Sequence, residues 1–322
     1  MTFSVQKKKG MAHIFHPTDF SPPSMAAFGH ALRLAVDLGT DLTIMHIEPD
    51  HADTDFEEFP RVRKTLTRWG VLPREGTKGQ LIQLGLGVRK IKAASKDPML
   101  SVVQCLQHSP ADIVVVASHE RDPLSDWLKN PVAADISRNS RITTLFVPEL
   151  SKGFVSLEDG ACRLQRILIP IDHQPSPQSA VEAVCMLAAG LKAREVSFHL
   201  LYVGDPLHAP HLRLPGIPGW QWQWIFSSGV VVDEILAVME KNDYHLVAMS
   251  TQWHHGFLDA LRGSTTERVV RRAHTPVLAV PVHDSPEPSA ISVKQPHKRN
   301  SGFFLGELLQ KVTFRTREMK SA

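Results

Sequence analysis

The apolar residues of this chain come in short continuous runs separated by stretches of helical spacing, and the whole arrangement occurs twice. A run at Ile14–His16 is followed by Ser21-Pro22, a helix cap with proline in the first turn. Phe28, Leu32, Ala35 and Leu38 then recur at helical spacing, and Gly39 stops the helix. Leu42–Ile47 is the next run. The second copy repeats this order with Ile167–Ile171, Ser176-Pro177, then Val181, Val184, Ala188 and Leu191, then Val196–Val203. Farther along, a helix from Pro98 to His108 leads into Ile113–Ala117, and its counterpart Val231–Lys241 leads into Leu246–Met249. Each copy closes on a loop, a helix and a last strand, at Thr144–Val147 and Val277–Val280, with Pro17 matching Pro170 and Pro148 matching Pro281.

Short apolar runs alternating with helices predict parallel strands covered on both faces. The fold class expected is α/β: two Rossmann-like domains, each a mostly parallel five-stranded sheet with helices on both faces. A repeat of this length implies two domains of one fold rather than a solenoid. The boundaries expected are 11–150 and 165–283, joined by a linker at 151–164. Residues 1–10 read as a polar leader, with Met11 as the true start, and 284–322 as a polar, proline-containing tail. Residues 49–90 are the least readable part, with a helix near Arg61–Trp69.

Composition narrows the class. The chain has 322 residues, enough for two cores. Its 36 Lys and Arg against 33 Asp and Glu argue for neither a nucleic-acid binder nor an enzyme of acidic substrates. No apolar stretch approaches the ~18 residues of a membrane span, and the first residues lack the apolar core of a signal peptide. Cys105, Cys162 and Cys185 lie far apart, which points to neither a disulfide framework nor a zinc site. A cytoplasmic protein with reduced thiols is expected.

Chemistry is sought beyond the carboxyl ends of the strands, near a switch in strand order, where open parallel sheets bind ligands. Asp19 and Asp172 stand at such an end, and Ser250 onward stands at another. Gly263-Ser264 opens a helix, where free backbone N–H groups favour phosphate.

The motifs PTDFS at Pro17–Ser21, PID at Pro170–Asp172 and GSTTERVVRRAHTPVLAVP at Gly263–Pro281 resemble the universal stress protein domain. The likeness covers about residues 11–148 and 165–282, so the chain looks like a tandem member. In ATP-binding members the signature is Gly, two residues, Gly, nine residues, then Gly-Ser or Gly-Thr. The resemblance implies that Asp172 would contact the adenosine and that main-chain groups near Val196 and Met249 would flank the base. Pro170, Ser250, Gln252 and Trp253 would line the site, and Gly263, Ser264 and Thr265 would hold phosphates. ATP or another adenine nucleotide is the implied ligand, with no metal beyond nucleotide-associated Mg. The last strands of the two copies would pair, as two chains do in single-domain members. The implied role is regulatory or protective in stress response.

The sequence departs from that signature. Its first two glycines fall on Ser250 and Trp253. Trp253 adds bulk where backbone should meet phosphate; it either stacks on a base or fills the site. In the first copy the aligned positions are Ala117, Glu120, Asn130 and Pro131. Glu120 would repel phosphate and Pro131 removes a donor, so the first copy is expected not to bind.

Other readings stand beside these. Ser264 with Glu267 is also a capping box, which needs no ligand. Asp172 before a turn also satisfies turn amides. His254-His255 reads as a solvated loop rather than a metal site. Trp220, Trp222 and Trp224 put three indoles on one strand face, as packing or as a platform for a partner. Leu305, Leu308, Leu309 and Val312 make a short apolar stripe in the tail, for docking on the protein's own body, on a partner or on a membrane surface. Three functions remain open: a nucleotide-binding stress protein, a scaffold acting through contacts with an unidentified protein partner or a second copy, and a slow ATP hydrolase. No Ser/His/Asp arrangement and no complete P-loop favours the last.

Overall fold

Ten strands form one sheet in the order β3-β2-β1-β4-β5-β10-β9-β6-β7-β8. The computed structural model describes residues 13–48, 55–73, 77–96, 98–118, 142–149, 151, 153–252 and 264–282. The strands are β1 (Ile14–Thr18), β2 (Leu42–Glu48), β3 (Val88–Ala94), β4 (Ile113–Ser118), β5 (Thr143–Pro148), β6 (Arg166–Ile171), β7 (Val196–Val203), β8 (Trp220–Ser227), β9 (Leu246–Thr251) and β10 (Val277–Pro281). Among the described residues the α-helices are α1 (Pro22–Leu38), α2 (Val62–Arg68), α3 (Lys78–Gln83), α4 (Pro98–His108), α5 (Gln178–Gly190), α6 (Val231–Lys241) and α7 (Thr265–Arg272).

The order within each copy is the same, 3-2-1-4-5, and the two copies meet through their last strands. β5 and β10 pair antiparallel, with Val277 opposite Phe146 and Ala279 opposite Thr144, while the other ladders are parallel. Both edges that the resemblance nominated for pairing are therefore used inside one chain. α1 and α5 cover one face, where Phe28, Leu32, Val181 and Val184 are fully buried. α4, α6 and α7 cover the other, over Phe15, Phe146, Leu168 and Val247. Each apolar cluster runs through both copies. The inner strands are buried on both sides, which is why they read as unbroken apolar runs.

The proline that marks each first strand shapes the sheet. Backbone bonds from Ile14 to Asp41 and from Ile113 to His13 alternate along β1, so Phe15 and Pro17 turn their backbone toward β4. Proline has no N–H to give there. The β1–β4 ladder accordingly stops after Ile14–Ile113 and Phe15–Val114. In the second copy Pro170 faces β9, and that ladder stops after Ile167–Leu246 and Leu168–Val247. Each copy thus has a crevice at the point where strand order reverses.

α1 begins as predicted: the Ser21 hydroxyl accepts the Ser24 amide, and Gly39 closes the helix at φ 61°. α5 does not. Its N-cap is Pro177, and Ser176 supplies no cap; the Ser250 hydroxyl, at the end of β9, accepts the Ala180 amide at 3.2 Å instead. The expected linker is a packed segment. Val155 bridges Cys162, the Leu157 carbonyl accepts from Trp69 Nε1 at 3.1 Å, and His30 Nε2 accepts the amides of Phe154 and Val155 at 3.1 and 3.3 Å. Gly153 and Gly160 sit at φ 61° and 71°, where a Cβ would run into the His30 and Trp69 rings.

Candidate functional site

The two crevices differ from the inside outward. In the first copy, His16 Nδ1 lies 2.9 Å from the Val115 carbonyl of β4. Val115 is the residue whose carbonyl would have received the N–H that Pro17 lacks, so the imidazole replaces the missing rung. Burial holds the His16 pKa down at about 4, and its Nε2 is buried with no hydrogen-bond partner. The neutral ring with Nδ1–H donating is the form that fits. In the second copy this position is Ile169, fully buried, which has no group to offer the corresponding Ala248 carbonyl.

The outer rim of the first crevice is filled by the chain itself. Thr18 Oγ1 accepts the Phe20 amide at 3.1 Å and the Ser24 hydroxyl at 2.8 Å, and Asp19 Oδ1 accepts the Ser21 amide at 3.0 Å. These bonds hold Phe20 at φ 64°, a backbone region costly for a bulky residue. Its ring stacks on His46 at 3.9 Å and meets Phe59 edge-on at 5.2 Å. Glu48, two residues beyond His46 on β2, is buried, with its Oε1 3.8 Å from His46 Nε2 and 3.7 Å from Lys92 Nζ.

At the second rim each of these residues has a different counterpart. Asp172 is exposed and its Oδ1 accepts the His173 amide at 2.7 Å, so the turn reading of this carboxylate holds. His173 stands where Phe20 stands. Its Nε2–H donates to the His208 carbonyl at 2.7 Å, and its ring meets Tyr202 edge-on at 6.1 Å. Gly204 replaces the buried Glu48, and a Cβ there would press on the Tyr202 ring. The second rim therefore has neither the stacked phenylalanine nor the buried carboxylate.

A universal stress protein family model matches residues 11–148 and 222–281, more than half of the sequence. The chain belongs to the universal stress protein family. A universal stress protein from Archaeoglobus fulgidus DSM 4304 superposes with a TM-score of 0.51 at 15% identity, covering 84% of this chain and 98% of that one. A protein of unknown function from Pseudomonas aeruginosa PAO1 does so with a TM-score of 0.51 at 12% identity, covering 84% and 93%. At these identities the likeness is one of fold. No curated protein matches the sequence.

Within this universal stress protein the nominated residues separate into three groups. Pro170, Asp172, Met249, Ser250 and Gln252 lie at or near the carboxyl ends of β6 and β9. Met249 is buried, and the Ser250 hydroxyl is engaged with α5. Ser264 and Thr265 open α7, where the Ser264 side chain accepts the Glu267 amide at 3.0 Å, so the capping role is realised. Val196 is misplaced by the sequence reading. It begins β7, and the parallel register sets Ile171 beside Tyr202, six residues farther on, so Val196 lies about 20 Å from the Asp172 end. The β7 residue at the rim is Tyr202, a hydrophobic-run tyrosine that only the register identifies. Trp253, Gly263, His254 and His255 lie outside the described residues, as do Glu120, Asn130 and Pro131, the leader and the tail.

Among the described residues, no three His, Cys, Asp or Glu side chains converge to hold a metal, and no helix is long and apolar enough to cross a membrane. The three thiols are free, and burial pushes those of Cys162 and Cys185 up to about 11, far from a reactive thiolate. The tryptophan face of β8 is largely packing. Trp220 Nε1 donates to the Ala193 carbonyl, and Trp222 stacks on Phe198 at 4.2 Å and donates to the Pro215 carbonyl.

Proposed function

We propose that this universal stress protein works in the stress response as a binding protein. Its C-terminal half takes one adenine nucleotide at the rim between β6 and β9, and its N-terminal half is the structural partner. The observation that carries this reading is the contrast at the switch point: His16 closes the first crevice, and Ile169 has nothing with which to close the second. Gly204 in place of a buried glutamate supports it further, because a carboxylate there would repel a phosphate or a ribose-bound anion. Asp172 would accept from the sugar hydroxyls, the α7 end would face the phosphates, and magnesium would arrive with the nucleotide. Turnover is no part of the reading. Equilibrium dialysis of the full chain against ATP, ADP and AMP tests it: one saturable site per chain is expected, with phosphate release no faster than the buffer blank.

A scaffold reading is favoured by one observation. The Ser250 and Ser264 hydroxyls, both of residues nominated as ligand contacts, already serve as helix caps, accepting the Ala180 and Glu267 amides. Absence of binding to all three nucleotides leaves a paired-domain scaffold that acts through its surfaces.

A further inference from the structure

The two ends of the sheet are built in opposite ways. β3, at one end, carries Arg89, Lys90 and Lys92 among seven residues. Charges of one sign along an edge repel a second sheet, a common protection against edge pairing. β8, at the other end, reads WQWQWIFS, and no charged residue occurs anywhere from Leu214 to Val232. Among the described residues, five of the eight exposed large apolar side chains lie in this neighbourhood of the chain: Leu207, Ile217, Phe226, Val230 and Val231. Monomeric proteins rarely leave a long uncharged edge with apolar surroundings open.

We propose that β8 is a docking edge for β8 of a second copy of this chain. Gly219 and Ser227 direct their carbonyls to β7, accepting the amides of Val196 and Gly204. By ladder alternation Trp222, Trp224 and Phe226 turn their N–H and C=O groups away from β7, and no described strand pairs with that side. Three outward residues centred on Trp224 are self-complementary. About a two-fold axis, Trp224 meets its own copy and Trp222 meets Phe226 of the other chain, an antiparallel register with about six backbone hydrogen bonds. Such an axis, perpendicular to the sheet, keeps all six aromatic side chains on one face, where cross-strand aromatic pairs stabilise the join. Trp224 and Phe226 are already parallel, 5.6 Å apart, and Phe226 is 44% exposed. The same kind of antiparallel join already links the two halves of one chain through β5 and β10. A second copy fits better than a charged peptide, because the edge offers no counter-charge to select one.

Analytical ultracentrifugation of the full chain is expected to give a concentration-dependent dimer. Trp224→Lys and Trp224→Glu each place like charges across the axis and should weaken dimerisation about ten-fold or more. Mixing the two variants should restore a heterodimer, which general loss of folding cannot do. Phe226→Lys, at a more exposed position, should weaken the dimer while leaving the circular dichroism and the melting temperature near those of the parent. A parent that stays monomeric at 100-fold dilution series up to about 100 μM, in the range of weak homodimers, overturns the proposal. So does a dimer that persists in both charged variants, or a mixture that fails to associate when each variant is folded.

Discussion

The same six positions in the two copies show how one fold makes a closed crevice and an open one. In the N-terminal copy they hold His16, Asp19, Phe20, His46, Glu48 and Ala117; in the C-terminal copy Ile169, Asp172, His173, Tyr202, Gly204 and Ser250. Both copies break the ladder between first and fourth strand with a proline. The first then repairs the break with an imidazole and covers the rim with Phe20 and Phe59. The second has an apolar side chain, Ile169, at that place, and its Ser250 hydroxyl caps the adjacent helix. The lesson is that the proline creates the crevice and its neighbours decide whether it stays available.

The largest way to break the comparison is acid, because both histidines buried among the described residues belong to the first copy. Burial lowers the pKa of His16 and of His30 to about 4 from 6.5. Above pH 6.5 the rings are neutral in the folded and unfolded chain alike and their contribution to stability is complete. As pH falls from 6.5 toward 4 the unfolded chain binds protons that the folded chain excludes, so stability drops by about 3 kcal/mol per histidine. Urea titrations at pH 7 and pH 4.5 check this, and His16→Ile, which copies the second half, should remove its share of the loss. An unchanged midpoint in the parent between those pH values would show that the first copy is not held by neutral imidazoles.

Gly153→Ala tests the packed linker next. The left-handed backbone and the His30 ring both oppose a methyl group there, so a loss of about 2 kcal/mol is expected in denaturant unfolding. A loose linker would tolerate the change. Ser250→Ala removes the cap that β9 lends to α5 and should cost about 1 kcal/mol in thermal unfolding. The smallest effect is that of Phe20→Gly. Relief of its positive φ offsets the lost stacking on His46, so stability should stay within about 1 kcal/mol of the parent. The variant should still bind no nucleotide through the first copy, since Glu48 remains; acquired binding, seen by fluorescence titration, would mean that the ring alone had closed it.

Much of the fold was legible because strands buried on both faces need apolar residues at successive positions. β7 and α6 are found at the residues the pattern predicts, and β1, β4, β6 and β9 within two residues of them. α3 and β3 were not, because β3 is an edge strand whose cations alternate with small and apolar residues and conceal the run. The α5 cap was misread since Ser250 reaches it from 70 residues away, a contact no local motif encodes. Val196 was misplaced for a related reason: the motif names strands, and only the register says which end of a strand borders the crevice. The packing of 153–164 on His30 and Trp69 was equally invisible, being long-range and carried by glycines.

Isothermal titration of the full chain with ATP, repeated on Asp172→Ala and Asp19→Ala, tests the central contrast most directly. The expected result is a stoichiometry of about one per chain, about ten-fold weaker affinity in Asp172→Ala through the loss of one charge-assisted contact, and no change in Asp19→Ala. Two sites per chain, or affinity that follows Asp19 instead of Asp172, would contradict it.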